Sequence, residues 1–189
     1  MTTWLHFIGG HYQHDYRFIL EARRNGISRN VPVQNARGFH YGDTVKLLRW
    51  QRGGKLVYAF AEMRITSVIL PHELSQKITD KLGDRLELTY SPNSLHIERD
   101  CGSYDMCGCW TISSDFDIPD ILKAAIEVSG DEKFKVMIGG YLSKEYDPPE
   151  RITTPIKFSR GFQKSDVQLE PLAEDIIKQI YGIRNYRRK

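Results

Sequence analysis

The chain has 189 residues, of which 40% are hydrophobic, 11% aromatic and 27% charged. This composition is too aromatic for a disordered chain, and the length is enough to bury a core without disulfides or metals. No apolar run could span a membrane, and the first residues lack the basic patch and apolar core of a signal peptide. We therefore expect a cytoplasmic protein, or a nuclear one in a eukaryote, whose three cysteines are thiols or metal ligands.

The formal net charge of +3 is distributed unevenly along the chain. Residues 17–37 contain five arginines and one carboxylate, and residues 176–189 contain five cations and no carboxylate. Residues 101–132 show the opposite balance, with seven carboxylates and one lysine. Basic segments attract phosphate backbones through counterion release, but they also serve simply as solvated faces. Charge alone therefore leaves nucleic-acid binding and solubility as two open interpretations.

The first half of the chain predicts a strand, a helix and a long hairpin. Residues 3–8 alternate apolar and polar side chains as a strand does, and residues 15–25 have the capping and spacing of a helix. Residues 30–37 have no periodicity, which predicts a loop or a short edge strand. Two strands over 44–50 and 55–69, joined by a glycine pair, form the most strongly indicated hairpin.

The second half predicts further helices and short strands. The predicted elements are helices over 71–82, 118–128 and 169–181, and strands over 85–90, 95–98, 110–112, 134–138 and 152–158. The glycine pair at 139–140 is interpreted as a turn that ends a strand, and residues 147–149 as a loop. Because strands and helices do not alternate regularly, the predicted fold class is α+β, a small mixed or antiparallel β-barrel with peripheral helices.

Residues 4–48 resemble the opening of EVE domains, which belong with PUA, ASCH and YTH domains to a group of small β-barrels. The features that match are Trp4-Leu5 on the first strand, the helix over 15–25, Arg29-Asn30, Gly42-Asp43 and the hairpin over 46–68. The resemblance covers about residues 1–70. It implies a single PUA-like domain over 1–189, with an insertion at about 85–132 that carries the cysteines. It also implies a reader of RNA or of a modified nucleobase.

Aromatic and basic residues in this part of the chain form a candidate nucleic-acid site. Aromatic rings at a barrel mouth could sandwich a flipped or modified base, while arginines contact its edge or its phosphates. The candidates are Trp4, His6, Tyr12, Arg23, Arg24, Arg29, Asn30 and Arg37. The alternative is that the strand buries one face, because alternation places Trp4 and His6 on the face opposite Leu5.

The central segment contains a candidate metal site. His96, Cys101, Cys107 and Cys109 have the ligand types of a closed structural zinc site, and the neighbouring glycines would let the chain wrap around an ion. Against this, no Cys-x2-Cys pair is present, and cysteines often serve as small buried residues. Zinc is therefore the one cofactor predicted, with ordinary thiols as the alternative.

The resemblance also implies an enzymatic alternative. Amidohydrolases among the ASCH proteins use a lysine, a threonine and a glutamate, and Lys46, Thr44 and Glu62 are of these types. The simpler interpretation is that Glu62 faces solvent and that Asp43 closes a turn. The leading prediction is thus an RNA- or DNA-binding module. The alternatives are a small hydrolase or nucleotide-modifying enzyme, and a protein-interaction factor whose acidic residues 115–132 bind a basic partner.

Overall fold

The computed structural model describes residues 1–8, 29–51, 56–71, 74, 77–78, 80–81, 88–90, 107–111, 116–157 and 161–182. Within these residues the chain is a mixed α+β protein that divides into two compact units. Unit 1 comprises Met1–Thr2, Asn25–Asp43 and Arg64–Tyr141. Unit 2 comprises Thr3–Arg24, Thr44–Met63 and Leu142–Lys189. None of the helices in the described part of the chain combines the length and apolar character needed to cross a membrane.

Nine strands and three helices have defined ends in the described residues. They are β1 (Thr3–Phe7), β2 (Arg29–Pro32), α1 (Val33–Ala36), β3 (Thr44–Trp50), β4 (Val57–Pro71), β5 (Leu88–Tyr90), β6 (Cys107–Thr111), α2 (Ile118–Ser129), β7 (Lys135–Ile152), β8 (Phe162–Lys164), β9 (Leu169–Pro171) and α3 (Glu174–Gly182). Residues 74, 77, 78, 80 and 81 are also helical. The long strands β4 and β7 each run through both units.

In unit 1 the strand order is β2–β7–β4–β6–β5. The pairs β2–β7, β4–β6 and β5–β6 are antiparallel. Helix α2 buries Ile121, Leu122 and Ala125, which confirms the predicted helix and the apolar stripe that indicated it. Gly130 ends the helix in the left-handed conformation, with φ of +75°, where glycine is favoured.

Asp117 fixes the start of α2 and the turn that precedes β3. Its carboxylate accepts hydrogen bonds from the backbone N–H groups of Ile118 at 2.7 Å and Tyr41 at 2.9 Å, and it lies 2.7 Å from Nδ1 of His40. Its own N–H donates to the carboxylate of Asp120 at 3.1 Å, which completes a capping box. Burial raises the pKa of Asp117, but these hydrogen bonds outweigh it and lower the pKa.

The turn at residues 40–43 confirms the structural interpretation of Asp43. This carboxylate is buried, and it accepts hydrogen bonds from the backbone N–H groups of Thr2 at 2.8 Å and His40 at 3.1 Å. Gly42 has φ of +85°, and its N–H donates to the carbonyl of Ile65 at 2.9 Å. Asp43 therefore satisfies backbone donors within unit 1.

In unit 2 the strand order is β9–β7–β4–β3–β1–β8. Strand β1 pairs in parallel with β3 and antiparallel with β8, so the sheet is mixed, as the α+β prediction allowed. Both hairpin strands, β3 and β4, are confirmed. The core of this unit consists of Leu5, Phe7, Leu48, Val57, Ala59 and Tyr146, with Ile152, Ile156, Val167 and Leu169 packed against it.

The largest difference from the sequence prediction is strand β7. We expected a strand that ends at the glycine pair 139–140, followed by a loop at 147–149, but β7 continues through both to Ile152. Gly140 is needed for close packing rather than for a turn. A Cβ atom added there would lie 2.0 Å from the backbone oxygen of Arg64 on β4.

Several other predicted ends are also wrong. The described residues 153–157 are not a strand, because β7 ends at Ile152 and Pro155 has no N–H to donate to a ladder. The predicted helix over 169–181 begins at Glu174, since residues 169–171 instead form β9 and pair with β7. The segment at 30–37 was predicted as a loop or a short edge strand; its first part is the short strand β2 at the end of the strand order, which fits the second alternative, and the rest forms α1. The helix predicted over 15–25 and the strand over 95–98 lie outside the described residues.

Candidate nucleic-acid interface

The two aromatic candidates on β1 lie in the protein interior. Trp4 is 9% exposed and His6 is 4% exposed. The His6 ring stacks on Phe162 of β8 with a centroid separation of 4.7 Å, and its Nδ1 lies 3.4 Å from the carbonyl oxygen of Gly161. The contact between His6 and Phe162 stabilises the β1–β8 pair. Leu5 and Phe7 are buried as well, so β1 buries both of its faces and not the single face that the alternative supposed.

The basic candidates fall in unit 1 where they are described. Arg37 forms an ion pair with Glu132, which also accepts a hydrogen bond from Gln34 at 3.3 Å. Arg29 and Asn30 lie on β2, with backbones opposite residues 138 and 137 of β7. Tyr12, Arg23 and Arg24 lie outside the described residues. The contribution of this set to nucleic-acid binding stays a prediction.

Three carboxylates of the acidic segment have partners within unit 1. Glu127 and Glu132 form exposed ion pairs with Lys81 and Arg37, and the Asp117 carboxylate lies 2.7 Å from Nδ1 of His40. Pairs of such exposed side chains are weak, so they do not decide for or against a basic partner, and the protein-interaction alternative stays a prediction.

The zinc prediction involves residues that are only partly described. Cys107 and Cys109 belong to β6, opposite residues 71 and 69 of β4, so this part of the chain is a strand rather than the wrapping loop that we expected. His96 and Cys101 lie outside the described residues. Over the part of the chain that the structure describes, no group of three or more His, Cys, Asp or Glu side chains is arranged to hold a metal ion. The zinc site stays a prediction.

A cleft in unit 2 provides a surface that the sequence analysis did not identify. Its volume is about 480 Å³, which is within the range of small-molecule sites. It is lined by Trp50, Leu56, Val57, Arg151, Ile152, Thr153, Thr154, Pro155 and Ile156. Val57, Ile152 and Ile156 belong to the core or pack against it, so the cleft has an apolar floor. We call it the Trp50 cleft.

Trp50 forms an aromatic platform at the end of β3. Its side chain is 42% exposed. The indole stacks on Phe7 with a centroid separation of 5.6 Å and an interplanar angle of 15°. Because Phe7 is a buried core residue, Trp50 is held in place while part of its surface faces solvent. A planar ligand could stack there with little loss of side-chain entropy.

The opposite wall of the cleft is fixed by the pairing of β7 with β9. The N–H of Thr153 donates to the carbonyl of Gln168 at 3.1 Å, and the hydroxyl of Thr154 accepts from the N–H of Gln168 at 2.9 Å. Arg151 lies on this wall with its Nε 3.7 Å from a carboxylate oxygen of Glu170, and both side chains are about half exposed. Such a surface pair is weak, so the guanidinium can exchange Glu170 for an anionic ligand at little cost.

The two segments that supply the cleft are also strongly basic. Residues 44–61 contain four cations and no carboxylate, and so do residues 151–165. This charge pattern was the signal that could have identified the site, together with a tryptophan at the end of the best predicted strand.

A second polar group in unit 2 joins β3, β4 and β7. Glu62 accepts hydrogen bonds from the ammonium of Lys46 and from the hydroxyl of Tyr146, and the Lys46 ammonium lies 3.1 Å from the same hydroxyl. The side chains of Lys46 and Glu62 are only 15% and 18% exposed. The interpretation of Glu62 as a solvent-facing residue is therefore wrong. We refer to Lys46, Glu62 and Tyr146 as the Glu62 cluster.

The titration properties of the Glu62 cluster fit a structural role. Burial raises the pKa of Glu62, but the hydrogen bonds from Lys46 and Tyr146 and the positive charges of Lys46 and Lys144 outweigh it and lower the pKa. Burial, and then the hydrogen bond to Glu62, raise the pKa of Tyr146 well above its ordinary value. General acid–base catalysis is most effective when a pKa lies near the operating pH, and both groups are shifted away from neutrality. The structure brings together Lys46 and Glu62, two of the three residues that the hydrolase alternative named, and that alternative stays a prediction.

Acidification is expected to remove the stabilisation that Glu62 provides. The pKa of Glu62 is lower in the folded chain than in the unfolded chain, where it is about 4.5. Its ionised form therefore stabilises the fold above pH 4.5. This stabilisation is lost as the pH falls through the pKa of the folded chain. The unfolding free energy of the wild type should therefore exceed that of E62Q at pH 7, and the two should converge towards pH 3. Urea unfolding across this range measures the difference.

The matched control is E174Q, because Glu174 is 82% exposed and pairs with the exposed Lys178. The unfolding free energy of E174Q should differ little from that of the wild type at every pH. This account would be contradicted if E62Q lowered the unfolding free energy by the same amount at pH 7 and at pH 3.

Comparisons of the chain with protein-family models, with curated proteins and with solved structures find no match.

Proposed function

We propose that this chain binds single-stranded nucleic acid, with one base stacked on Trp50. The observation that carries the proposal is the Trp50 cleft itself, where a partly exposed indole is fixed against the core beside a guanidinium. Unpaired bases stack on aromatic side chains regardless of sequence, and cations nearby bind the phosphates. A duplex would not offer a free base face, so single strands are the expected ligand.

The proposal keeps the predicted class of ligand but changes the site. The sequence predicts a base at Trp4 and His6, which are buried, whereas the Trp50 side chain is 42% exposed. The PUA-like barrel, with an insertion at about 85–132, remains our proposal for the finer fold, and the resemblance over residues 1–70 supports it.

Replacing Trp50 by alanine should weaken the binding of single-stranded RNA and DNA octamers by about 5- to 150-fold, because loss of a stacking contact costs roughly 1–3 kcal/mol. The dependence of affinity on salt should stay nearly unchanged, since stacking involves no counterion release. R151Q should instead reduce the slope of log K against log salt concentration by about 0.7, the value for one phosphate contact in a single strand. Fluorescence anisotropy of labelled octamers at several salt concentrations measures both quantities.

Tyr141 provides the matched control for Trp50. It is 49% exposed and does not line the cleft, so Y141A should bind like the wild type. Quenching of intrinsic fluorescence on binding should also decrease in W50F, which retains an aromatic ring. The proposal would be overturned by a wild-type protein that binds no octamer in a salt-dependent way, or by W50A binding as tightly as the wild type.

A further inference from the structure

The cation of the Trp50 cleft is held beside a carboxylate by the sheet. Arg151 of β7 and Glu170 of β9 lie directly opposite each other in the antiparallel register. Residues paired in this way have their side chains on the same face, close enough for opposite charges to interact. The Nε of Arg151 lies 3.7 Å from a carboxylate oxygen of Glu170. The strand pairing therefore places one negative charge next to the guanidinium of the cleft.

Glu170 determines the net charge that a ligand of the cleft meets. Arg151 is the one cation among the described residues that line the cleft, and Glu170 balances it. Two opposite charges a few ångströms apart attract an anion far less than a lone cation does, because their potentials largely cancel. A ligand with two negative charges therefore gains little over a ligand with one. The rest of the lining is apolar except for Thr153 and Thr154, which both hydrogen-bond to Gln168.

Building on the proposed function, we infer that Glu170 is a specificity residue, which makes the Trp50 cleft a site for an internal nucleotide of a strand. An internal phosphate is a diester with one negative charge. A free nucleotide or a phosphorylated strand end is a monoester, which has about two charges above its second pKa of about 6. A lone arginine would favour the monoester, because the attraction increases with the charge of the ligand. Glu170 cancels this preference, so stacking on Trp50 and the contacts of a continuous strand determine binding.

Removing the charge of Glu170 should strengthen binding. E170Q keeps the size of the side chain but leaves the Arg151 guanidinium unbalanced, so its affinity for a thymidylate octamer at low salt should rise by about three- to tenfold. The conservative variant E170D keeps the carboxylate and should bind nearly as the wild type does. Fluorescence anisotropy of the labelled octamer measures these affinities. Unchanged octamer affinity in E170Q would overturn the inference.

E174Q is the matched control for E170Q. Glu174 is exposed, belongs to the same unit and pairs with the exposed Lys178, which is not among the residues that line the cleft. The two variants change the net charge equally, so the octamer affinity of E174Q should stay near that of the wild type. Equal increases in E170Q and E174Q would contradict a specific role of Glu170, because general charge would then explain the effect.

A change in the charge of the ligand tests the specificity directly. Thymidine 5′-monophosphate and its methyl ester have the same base and sugar, but at pH 8 the first has about two negative charges and the second has one. The two should displace the labelled octamer from the wild type at similar concentrations, whereas E170Q should favour the monophosphate by about three- to tenfold. The inference fails if the wild type favours the monophosphate as strongly as E170Q does, or if E170Q shows no preference.

The specificity of Glu170 and the proposed function fail in different ways. If the wild type binds the octamer and W50A weakens that binding, the proposed function stands whatever the effect of E170Q. Failure of the wild type to bind the octamer would refute the proposed function, and the role of Glu170 with it.

Discussion

Gly140→Ala will unfold at a much lower urea concentration than the wild type, or will fail to fold. The added Cβ atom would lie 2.0 Å from the backbone oxygen of Arg64 and 2.8 Å from its carbonyl carbon. Backbone atoms cannot rotate away as a side chain does, so the paired strands β7 and β4 would have to separate. We expect the unfolding free energy to fall by about 3 kcal/mol or more, and the Tm to decrease by roughly 6–12 °C.

Gly130→Ala is the matched control for this prediction. Gly130 has a positive φ, but no atom lies within 4 Å of the position that an added Cβ would occupy. Replacing it by alanine should lower the unfolding free energy by only about 1–2 kcal/mol, because a residue with a Cβ atom disfavours the left-handed backbone conformation. If both alanine variants are destabilised equally, close packing of β7 on β4 is not the reason for the glycine at 140.

The second large effect is expected at the Glu62 cluster. Lys46→Met leaves a mostly buried carboxylate without its cation, and should lower the unfolding free energy by about 2–3 kcal/mol. This is less than the 3–5 kcal/mol typical of fully buried pairs, because both side chains keep some exposure. The double variant K46M/E62Q should be less destabilised than the sum of its single variants, because the Tyr146 hydroxyl can still donate to the amide oxygen at position 62.

A double-mutant cycle from urea unfolding measures this coupling, which we expect to be about 1–3 kcal/mol. The exposed pair Lys178–Glu174, four residues apart on α3, is the control and should give only about 0.3–0.5 kcal/mol. Strict additivity at Lys46 and Glu62 would show that their ion pair contributes nothing to the fold.

Local sequence signals were sufficient where an element depends on its own residues. Helix α2 has an apolar stripe and an acidic cap, and the β3–β4 hairpin has two patterned strands around a glycine pair, so both were predicted close to their observed positions. The local sequence around the glycine pair at 139–140 is also typical of a turn, although the pair lies within β7. Only the carbonyl of Arg64, 76 residues away in the chain, explains why glycine is needed there.

The candidate site was harder to predict because exposure is a tertiary property. Alternation along a strand cannot show which ring is covered by a neighbouring strand, so the sequence predicts stacking on Trp4 and does not single out Trp50. The structure buries the first beside β8 and leaves the second 42% exposed. The contacts of Glu62 could not be predicted for the same reason: they depend on tertiary structure, since residues from three different strands meet there.

The position of β1 has a consequence for synthesis of the protein on the ribosome. This strand lies between β3 and β8, and Trp4 is paired with Lys164, so its second edge stays without a partner until about seven-eighths of the chain has been translated. An exposed strand edge can pair with other nascent chains, and long sequence separation slows folding. Expression at low temperature or with chaperones is therefore expected to improve the yield of folded protein.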